Sequence, residues 1–154
     1  GDPQPMGEGM VYSMQQIDGK NVAALYDQRE EQKSAGMPPM WLTYFTVDDV
    51  DAATAKVGPA DGMVIQEPFD VFDAGRMSVV ADPTGGVIGL WQAKDHIGSQ
   101  LVQENGSVAW NELMSSDAEK SKTFLENVLC VSFHADPVMG DYAMMMVNGR
   151  RSPA

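Results

Sequence analysis

Short runs of mostly apolar residues that end at turn residues recur along the chain, which is typical of β-strands, and the run at residues 9–17 alternates loosely between apolar and polar residues. The first run, residues 9–17, is followed by Asp18-Gly19, a dipeptide that favours a two-residue hairpin turn. Residues 21–26 then predict a returning antiparallel strand. Residues 27–39 are charged, contain Gly and Pro and lack a sustained period, so we expect a linker there.

A strand, a helix and three further strands are predicted in the middle of the chain. Residues 41–47 are rich in aromatic and β-branched side chains. Asp48-Asp49 supplies a carboxylate that can cap a helix over residues 50–57, and Gly58-Pro59 ends that helix. Three apolar stretches separated by turn residues complete a β-α-β-β-β unit, at residues 63–67, 75–81 and 87–92.

The same pattern begins again after a polar joint at residues 94–106. Residues 107–114 predict a strand, and Ser116 and Glu119 have the spacing of a capping box. Apolar residues then recur at three- and four-residue steps as far as Leu129, which predicts a helix. Two more strands are expected, at residues 131–134 and 142–147.

The two ends of the chain are similar to each other. Residues 14–19 align with residues 144–149, and Asp49 with its helix aligns with Asp117 with its helix. If the repeat is real, the chain holds the last two strands of one unit, a complete second unit and the first part of a third. Each of the two aligned segments is preceded by a tyrosine at the same spacing, Tyr12 and Tyr142, and further upstream by a Met-Gly pair, Met6-Gly7 and Met139-Gly140.

Composition narrows the possible partners. The 154 residues suit one domain with its own core. Ten Lys and Arg against 22 Asp and Glu give a net charge of −12 without a basic run, which argues against nucleic acid and anionic membranes. No apolar run reaches the length of a transmembrane helix. Cys130 is the single cysteine, so no internal disulfide is possible and we expect a reducing, cytoplasmic location.

Three stretches carry a resemblance to a known family. They are residues 41–53, residues 75–91 with the turn Asp82-Pro83-Thr84-Gly85-Gly86, and residues 106–114 with the helix that follows. Together they resemble the vicinal oxygen chelate superfamily, which includes glyoxalase, bleomycin-resistance and extradiol dioxygenase proteins. The resemblance is strongest to its bacterial tandem-domain members of actinobacterial type, and the turn is the most specific part.

The resemblance implies an α+β fold in which paired βαβββ modules form a curved antiparallel cup. Residues 1–154 would then be one glyoxalase-like domain. Residues 1–26 correspond to the second half of a module, residues 40–93 to a complete module, and residues 106–154 to the first part of a further module. The last section would complete the first, either within the chain or by domain swapping, and we expect a homodimer.

Family metalloenzymes hold a divalent ion through His, Gln or Glu on the first and fourth strands of each module. Here His96 and His134 lie elsewhere, and Glu112 alone does not make a metal site. We therefore expect no metal and no other cofactor. The ligand positions fall on Leu42, Gly89, Ala23 and Trp110, or on Asn111 if the register shifts by one.

The implied cup keeps an apolar lining with a few polar groups, which suits a small, partly aromatic ligand, although Met and Trp could equally fill a core. The chain's twelve Met would adapt to varied ligands. Alternate residues on the facing strands predict the lining Leu42, Tyr44, Thr46, Trp91, Trp110, Glu112, Met114 and Met144.

Three functions stay open, and no catalytic residue is assigned. The first is a non-metal small-molecule-binding protein of the glyoxalase/bleomycin-resistance type. The second is a metal-dependent lyase, isomerase or dioxygenase whose ligand positions differ from those above. The third is a remnant of a tandem-domain protein that binds nothing.

Cys130 follows the predicted C-terminal helix, where this family commonly has Gly. Glycine is favoured there because it takes the left-handed helix-ending conformation without strain. A nucleophilic thiol would need a base and a lowered pKa, and the sequence indicates neither. We expect Cys130 to be structural.

Overall fold

The computed structural model describes residues 4–5, 11–138, 140 and 142–151. These residues form two compact units. One unit comprises the described residues up to Trp41 together with Ile97–Trp110. The other comprises Leu42–His96 and the described residues from Asn111 onward.

An antiparallel hairpin forms the basis of the first unit. Strand β1 (Gln4–Pro5) pairs with β2 (Val11–Ile17), which pairs with β3 (Lys20–Tyr26). Asp18 and Gly19 both have positive φ angles, of 49° and 77°, as this two-residue turn requires. The predicted opening hairpin is confirmed.

A short helix, α1 (Glu30–Ser34), interrupts the stretch that was expected to be a linker. The side-chain oxygen of Gln32 accepts a hydrogen bond from the backbone N–H of Arg29 at 2.9 Å, and Lys33 Nζ lies 2.8 Å from a Glu30 carboxylate oxygen. The expected linker therefore contains one helical turn, which polar local contacts rather than apolar periodicity stabilise.

The second unit contains the predicted β-α-β-β-β module. Strand β4 (Tyr44–Thr46) is shorter than expected and leads into α2 (Val50–Ala55), which a 3-10 turn at Gly58–Ala60 follows. Strand β4 is parallel to its neighbour, whereas the other pairs are antiparallel, in the order β4-β7-β6-β5. The three strands that complete the sheet are β5 (Met63–Val71), β6 (Gly75–Ala81) and β7 (Val87–Ala93).

The C-terminal section adds α3 (Ala118–Leu129) and a small antiparallel sheet in the order β10-β9-β8. The β9–β10 turn repeats the geometry of the N-terminal hairpin, since Asn148 and Gly149 have φ angles of 51° and 73°. Of the two Met-Gly pairs in the sequence repeat, Met6, Gly7 and Met139 lie outside the described residues. The strands of the small sheet are β8 (Ser132–Ala135), β9 (Ala143–Val147) and β10 (Arg150–Arg151).

The strand predicted at residues 107–114 does not form. Val108 makes a single parallel bridge with Val102, and the residues after it have no regular structure. A β-strand requires a hydrogen-bonding neighbour along its length, and the described residues supply this segment with only one backbone bridge. The prediction from composition was therefore wrong, because composition alone does not supply the neighbouring strand.

Both longer helices begin at an aspartate. The Asp49 carboxylate accepts a hydrogen bond from the Ala52 N–H at 2.9 Å, and Asp117 accepts one from the Lys120 N–H at 3.2 Å. This confirms the predicted cap at Asp49, and both helices begin with the same kind of cap. The capping box predicted at Ser116 was wrong by one residue, because the Asp117 carboxylate takes the acceptor role.

Helices α2 and α3 pack on one face of the four-stranded sheet. Within the described residues no helix is long and apolar enough to cross a membrane. Cys130 ends α3 with a φ angle of 56°, in the left-handed conformation for which glycine is favoured. The buried cluster between helices and sheet comprises Val50, Ala53, Val57, Val80, Ile88, Leu90, Phe124, Leu125 and Val128.

Candidate functional site

The sheet face opposite α2 and α3 carries two rows of side chains that cross all four strands. Residues that pair between neighbouring strands share a face, so the register defines both rows. We call this surface the aromatic face. The first row is Thr46, Trp91, Met77 and Phe69, and the second is Tyr44, Gly89, Val79 and Gln66.

Two glycines make room for the large rings of this face. The ring of Tyr44 lies across Gly89, where an added Cβ would overlap the ring. Trp91 covers Gly75 in the same way. The two rings meet edge to face, with centroids 6.5 Å apart and an angle of 87° between their planes. Such pairs stabilise the arrangement beyond the area they bury.

Trp91 is anchored, whereas its neighbours remain accessible. Its indole N–H donates a hydrogen bond to the His96 carbonyl at 2.8 Å, and its side chain is only 9% exposed. Tyr44 and Phe69 are 44% and 38% exposed. The face therefore combines one fixed, buried ring, that of Trp91, with two accessible rings, those of Tyr44 and Phe69.

The structure brings together three of the predicted lining residues, Tyr44, Thr46 and Trp91. Leu42 lies two residues before β4. Glu112 and Met114 lie in the irregular segment before α3, and Met114 is 92% exposed. Of the two remaining lining residues, Trp110 belongs to the first unit, and Met144 lies on β9 opposite His134.

Sequence reasoning missed four members of the aromatic face, Gln66, Phe69, Met77 and Val79. The alternation along β6 places Met77 and Val79 on one face, and this signal was available in the sequence. Phe69 was harder to place, because the β5–β6 register shifts twice around Gln66. A bulged strand breaks the period-two pattern on which such predictions depend.

Asp82, in the turn between β6 and β7, is the centre of a buried hydrogen-bond network. Its carboxylate accepts hydrogen bonds from the Thr84 and Gly86 backbone N–H groups, each at 2.8 Å. It also accepts one from the Ser121 hydroxyl at 2.5 Å. Ser115 joins the network through Ser121, with 2.7 Å between the hydroxyl oxygens. The network ties the turn to α3.

This environment lowers the pKa of the Asp82 carboxyl. Burial alone opposes ionisation, but the hydrogen bonds from Ser121, Gly86 and Thr84 favour the charged form and outweigh it. Asp82 is 5% exposed, and every one of these donors belongs to the turn or to α3. The network therefore stabilises the folded chain by fixing the turn that precedes β7.

The sequence model of the Glyoxalase/Bleomycin resistance protein/Dioxygenase superfamily matches residues 2–90, more than half of the chain. The chain belongs to this superfamily. Its α+β architecture, with the β-α-β-β-β module and a mainly antiparallel sheet, is a glyoxalase-like fold.

Relatives in the superfamily have two kinds of name. The putative glyoxylase CFP32 of Mycobacterium tuberculosis and of Mycobacterium bovis is 48% identical over 128 residues, which are 83% of this chain and 48% of the relative. The anthracycline biosynthesis protein DauV of a Streptomyces species is 35% identical over 130 residues, 77% of this chain and 46% of the relative. The anthracycline biosynthesis protein DnrV of Streptomyces peucetius is 36% identical over 125 residues. The chain spans about half the length of these relatives.

The two positions of the β-α-β-β-β module that the sequence pattern aligns with the superfamily's metal ligands do not fit a metal. Leu42 has no donor atom, and Gly89 has no side chain and lies beneath the Tyr44 ring. In the part of the chain that the structure describes, no three His, Cys, Asp or Glu side chains are grouped to hold an ion. We therefore derive no metal chemistry at the aromatic face.

Two surface depressions are lined by other residues. One, of about 360 Å³, lies between the β2–β3 turn and residues 101–105 of the first unit. The other, of about 230 Å³, lies between Ala60-Asp61 and α3. Neither is lined by a residue of the two rows, and neither holds a cluster of reactive side chains.

Proposed function

We propose that this superfamily member binds a small, partly aromatic molecule on the aromatic face without a metal. The observation that carries the proposal is the row Thr46, Trp91, Met77 and Phe69 on the sheet face away from both helices. Planar rings stack well on accessible aromatic side chains, which are Tyr44 and Phe69 on this face, and a flexible thioether adapts its shape to different ligands.

The relatives support this class of ligand. Two of them are named for anthracycline biosynthesis, and anthracyclines are fused-ring aromatic compounds. The superfamily description also includes bleomycin resistance. A planar aromatic ligand would match the anthracycline names and the chemistry of the face.

A metal-dependent enzyme of the same superfamily is the second candidate. The name putative glyoxylase, carried by a relative of 48% identity, favours it. The residues at the expected ligand positions, Leu42 and Gly89, count against it because neither supplies a donor atom. Elemental analysis of protein purified without chelator separates the two candidates: stoichiometric Fe, Mn, Ni or Zn would overturn the non-metal proposal.

Isothermal titration with planar aromatic compounds, hydroxyanthraquinones among them, tests binding directly. Phe69→Ala removes an accessible ring from the row and should weaken binding by about tenfold. Phe72→Ala is the matched control, because Phe72 is 77% exposed in the β5–β6 turn and belongs to neither row. Equal effects of the two variants would place the ligand elsewhere, and no binding by any compound would favour a chain that binds nothing.

A homodimer is the remaining part of the proposal. The equivalent turns of β2–β3 and β9–β10 support the idea that the chain carries incomplete modules at its ends. Completion between two copies would give a dimer, whereas completion within one chain needs no partner. Light scattering during size-exclusion chromatography distinguishes them: twice the 16.7 kDa chain mass supports the swapped dimer, and a single chain mass rules it out.

A further inference from the structure

We infer that the aromatic face selects uncharged aromatic ligands and rejects analogues that carry a carboxylate. The inference rests on the proposed function and adds the charge class of the ligand. It follows from where the charged side chains of the four-stranded sheet lie.

Neither row of the aromatic face contains a Lys, Arg, His, Asp or Glu side chain. Its polar groups are the neutral Thr46, Gln66 and Tyr44. The next row, Val87, Ala81 and Met63, is apolar throughout. Glu67 lies in the irregular part of β5 between the two rows and is itself an anion. A ligand on this face therefore meets no cation among the row residues.

The positive charges of this sheet are held on its helix side. Arg76 pairs across the strands with Asp70. Because Arg76 is adjacent to Met77 along β6, its side chain points to the opposite face of the sheet, which α2 covers. Its guanidinium donates two hydrogen bonds to Asp51 of α2, at 2.7 and 2.8 Å. Lys94, just after β7, has its Nζ 3.0 Å from an Asp70 oxygen. Both cations are already neutralised by carboxylates.

A carboxylate on the aromatic face would therefore lose water without gaining a positive partner from either row. The His96 ring, whose centroid lies 5.9 Å from that of Trp91, follows β7 and belongs to neither row. An ionised group pays a large desolvation cost in such a site, whereas an uncharged hydroxyl can hydrogen-bond to Thr46 or Gln66. The net charge of −12 adds a long-range repulsion of anions, which salt screens. The desolvation cost remains at high salt, whereas the long-range repulsion becomes weaker. Measuring affinity at low and high salt therefore separates the two effects.

Two anthraquinones substituted at the same ring carbon, one with a hydroxymethyl group and one with a carboxylate, test the inference by isothermal titration. We expect the carboxylate to bind at least about thirtyfold more weakly than the alcohol, with most of that ratio persisting in high salt. Equal affinities would overturn the inference and leave the proposed function standing. Failure of both compounds to bind would overturn both.

Thr46 offers a matched pair of variants that locates the effect. Thr46→Lys and Thr46→Gln place side chains of similar reach beside Trp91, and only the first is charged. We expect the ratio of alcohol to carboxylate affinity to fall by at least about tenfold in Thr46→Lys relative to Thr46→Gln. An unchanged ratio would show that carboxylates are rejected elsewhere, which also overturns the inference.

Discussion

The phenol ring of Tyr44 on β4 lies directly across the backbone of Gly89 on β7, where the smallest side chain would collide with it. Tyr44 and Gly89 are register partners in the parallel β4–β7 pair, so the ring leans over its own cross-strand neighbour. Gly89 is buried by this contact although its partner is 44% exposed. The glycine is therefore required by close approach rather than by a turn.

Gly89→Ala should lower the free energy of unfolding by about 1–3 kcal/mol, because the added methyl group forces the Tyr44 ring out of position. Urea denaturation of the four proteins of a double-mutant cycle with Tyr44→Ala measures the coupling. In the Tyr44→Ala background the same substitution should cost less than about 0.5 kcal/mol. An equal cost in both backgrounds would mean that the ring is not the cause.

The Ser121 hydroxyl, 2.5 Å from the Asp82 carboxylate, ties α3 to the β6–β7 turn. Ser121→Ala should lower the free energy of unfolding by about 1–3 kcal/mol, since a buried carboxylate then loses one of its donors. Ser116→Ala is the control, because Ser116 is exposed and precedes the Asp117 cap. That variant should stay within about 0.5 kcal/mol of the original protein. Similar losses for the two variants would contradict the assigned role of Ser121.

Acid should weaken the fold through the same network. Because the pKa of Asp82 is lower in the folded chain than in the unfolded chain, unfolding takes up a proton in acid. The stabilisation is fully present above the unfolded pKa of about 3.9 and is lost as the pH falls through the lower folded value. Urea denaturation between about pH 7 and pH 3 measures this loss.

A comparison with Ser121→Ala isolates the share of Asp82 in this loss. The carboxyls of Asp51, Asp70 and Asp117 also have lowered pKa values, because they accept hydrogen bonds from Arg76, Lys94 and the Lys120 backbone N–H. These hydrogen bonds are the same in the original protein and in the variant. The variant lacks a donor that lowers the Asp82 pKa, so its stability should fall less steeply with acid. Parallel curves would exclude Asp82 as the source.

Sequence patterns predicted the elements that local chemistry determines. The Asp18-Gly19 turn and the Asp49 cap each depend on a few neighbouring residues, and each is present. Predictions that depend on distant partners did less well. Residues 107–114 have strand composition, yet only Val108 has a backbone bridge to another residue.

The same distinction applies to the candidate site. Tyr44, Thr46 and Trp91 could be placed together because β4 and β7 alternate regularly and their order follows from the module. Phe69 could not, because two register shifts in β5 decide which way its ring points. Bulges of this kind are set by pairing with β6 and leave no periodic signal in the strand's own sequence.

Cys130 ends α3 with a φ angle of 56°, a conformation that costs a residue with a Cβ about 1–2 kcal/mol. Cys130→Gly removes this strain, and although glycine also loses more chain entropy on folding, we expect a net gain of roughly 0.5–1 kcal/mol. Cys130→Ala keeps the Cβ and removes only the thiol, whose sulfur lies 3.6 Å from Lys56 Nζ. It should therefore leave the free energy of unfolding nearly unchanged. Urea denaturation of the three proteins checks this order, and a glycine variant no more stable than the alanine variant would show that the backbone at this position carries no strain.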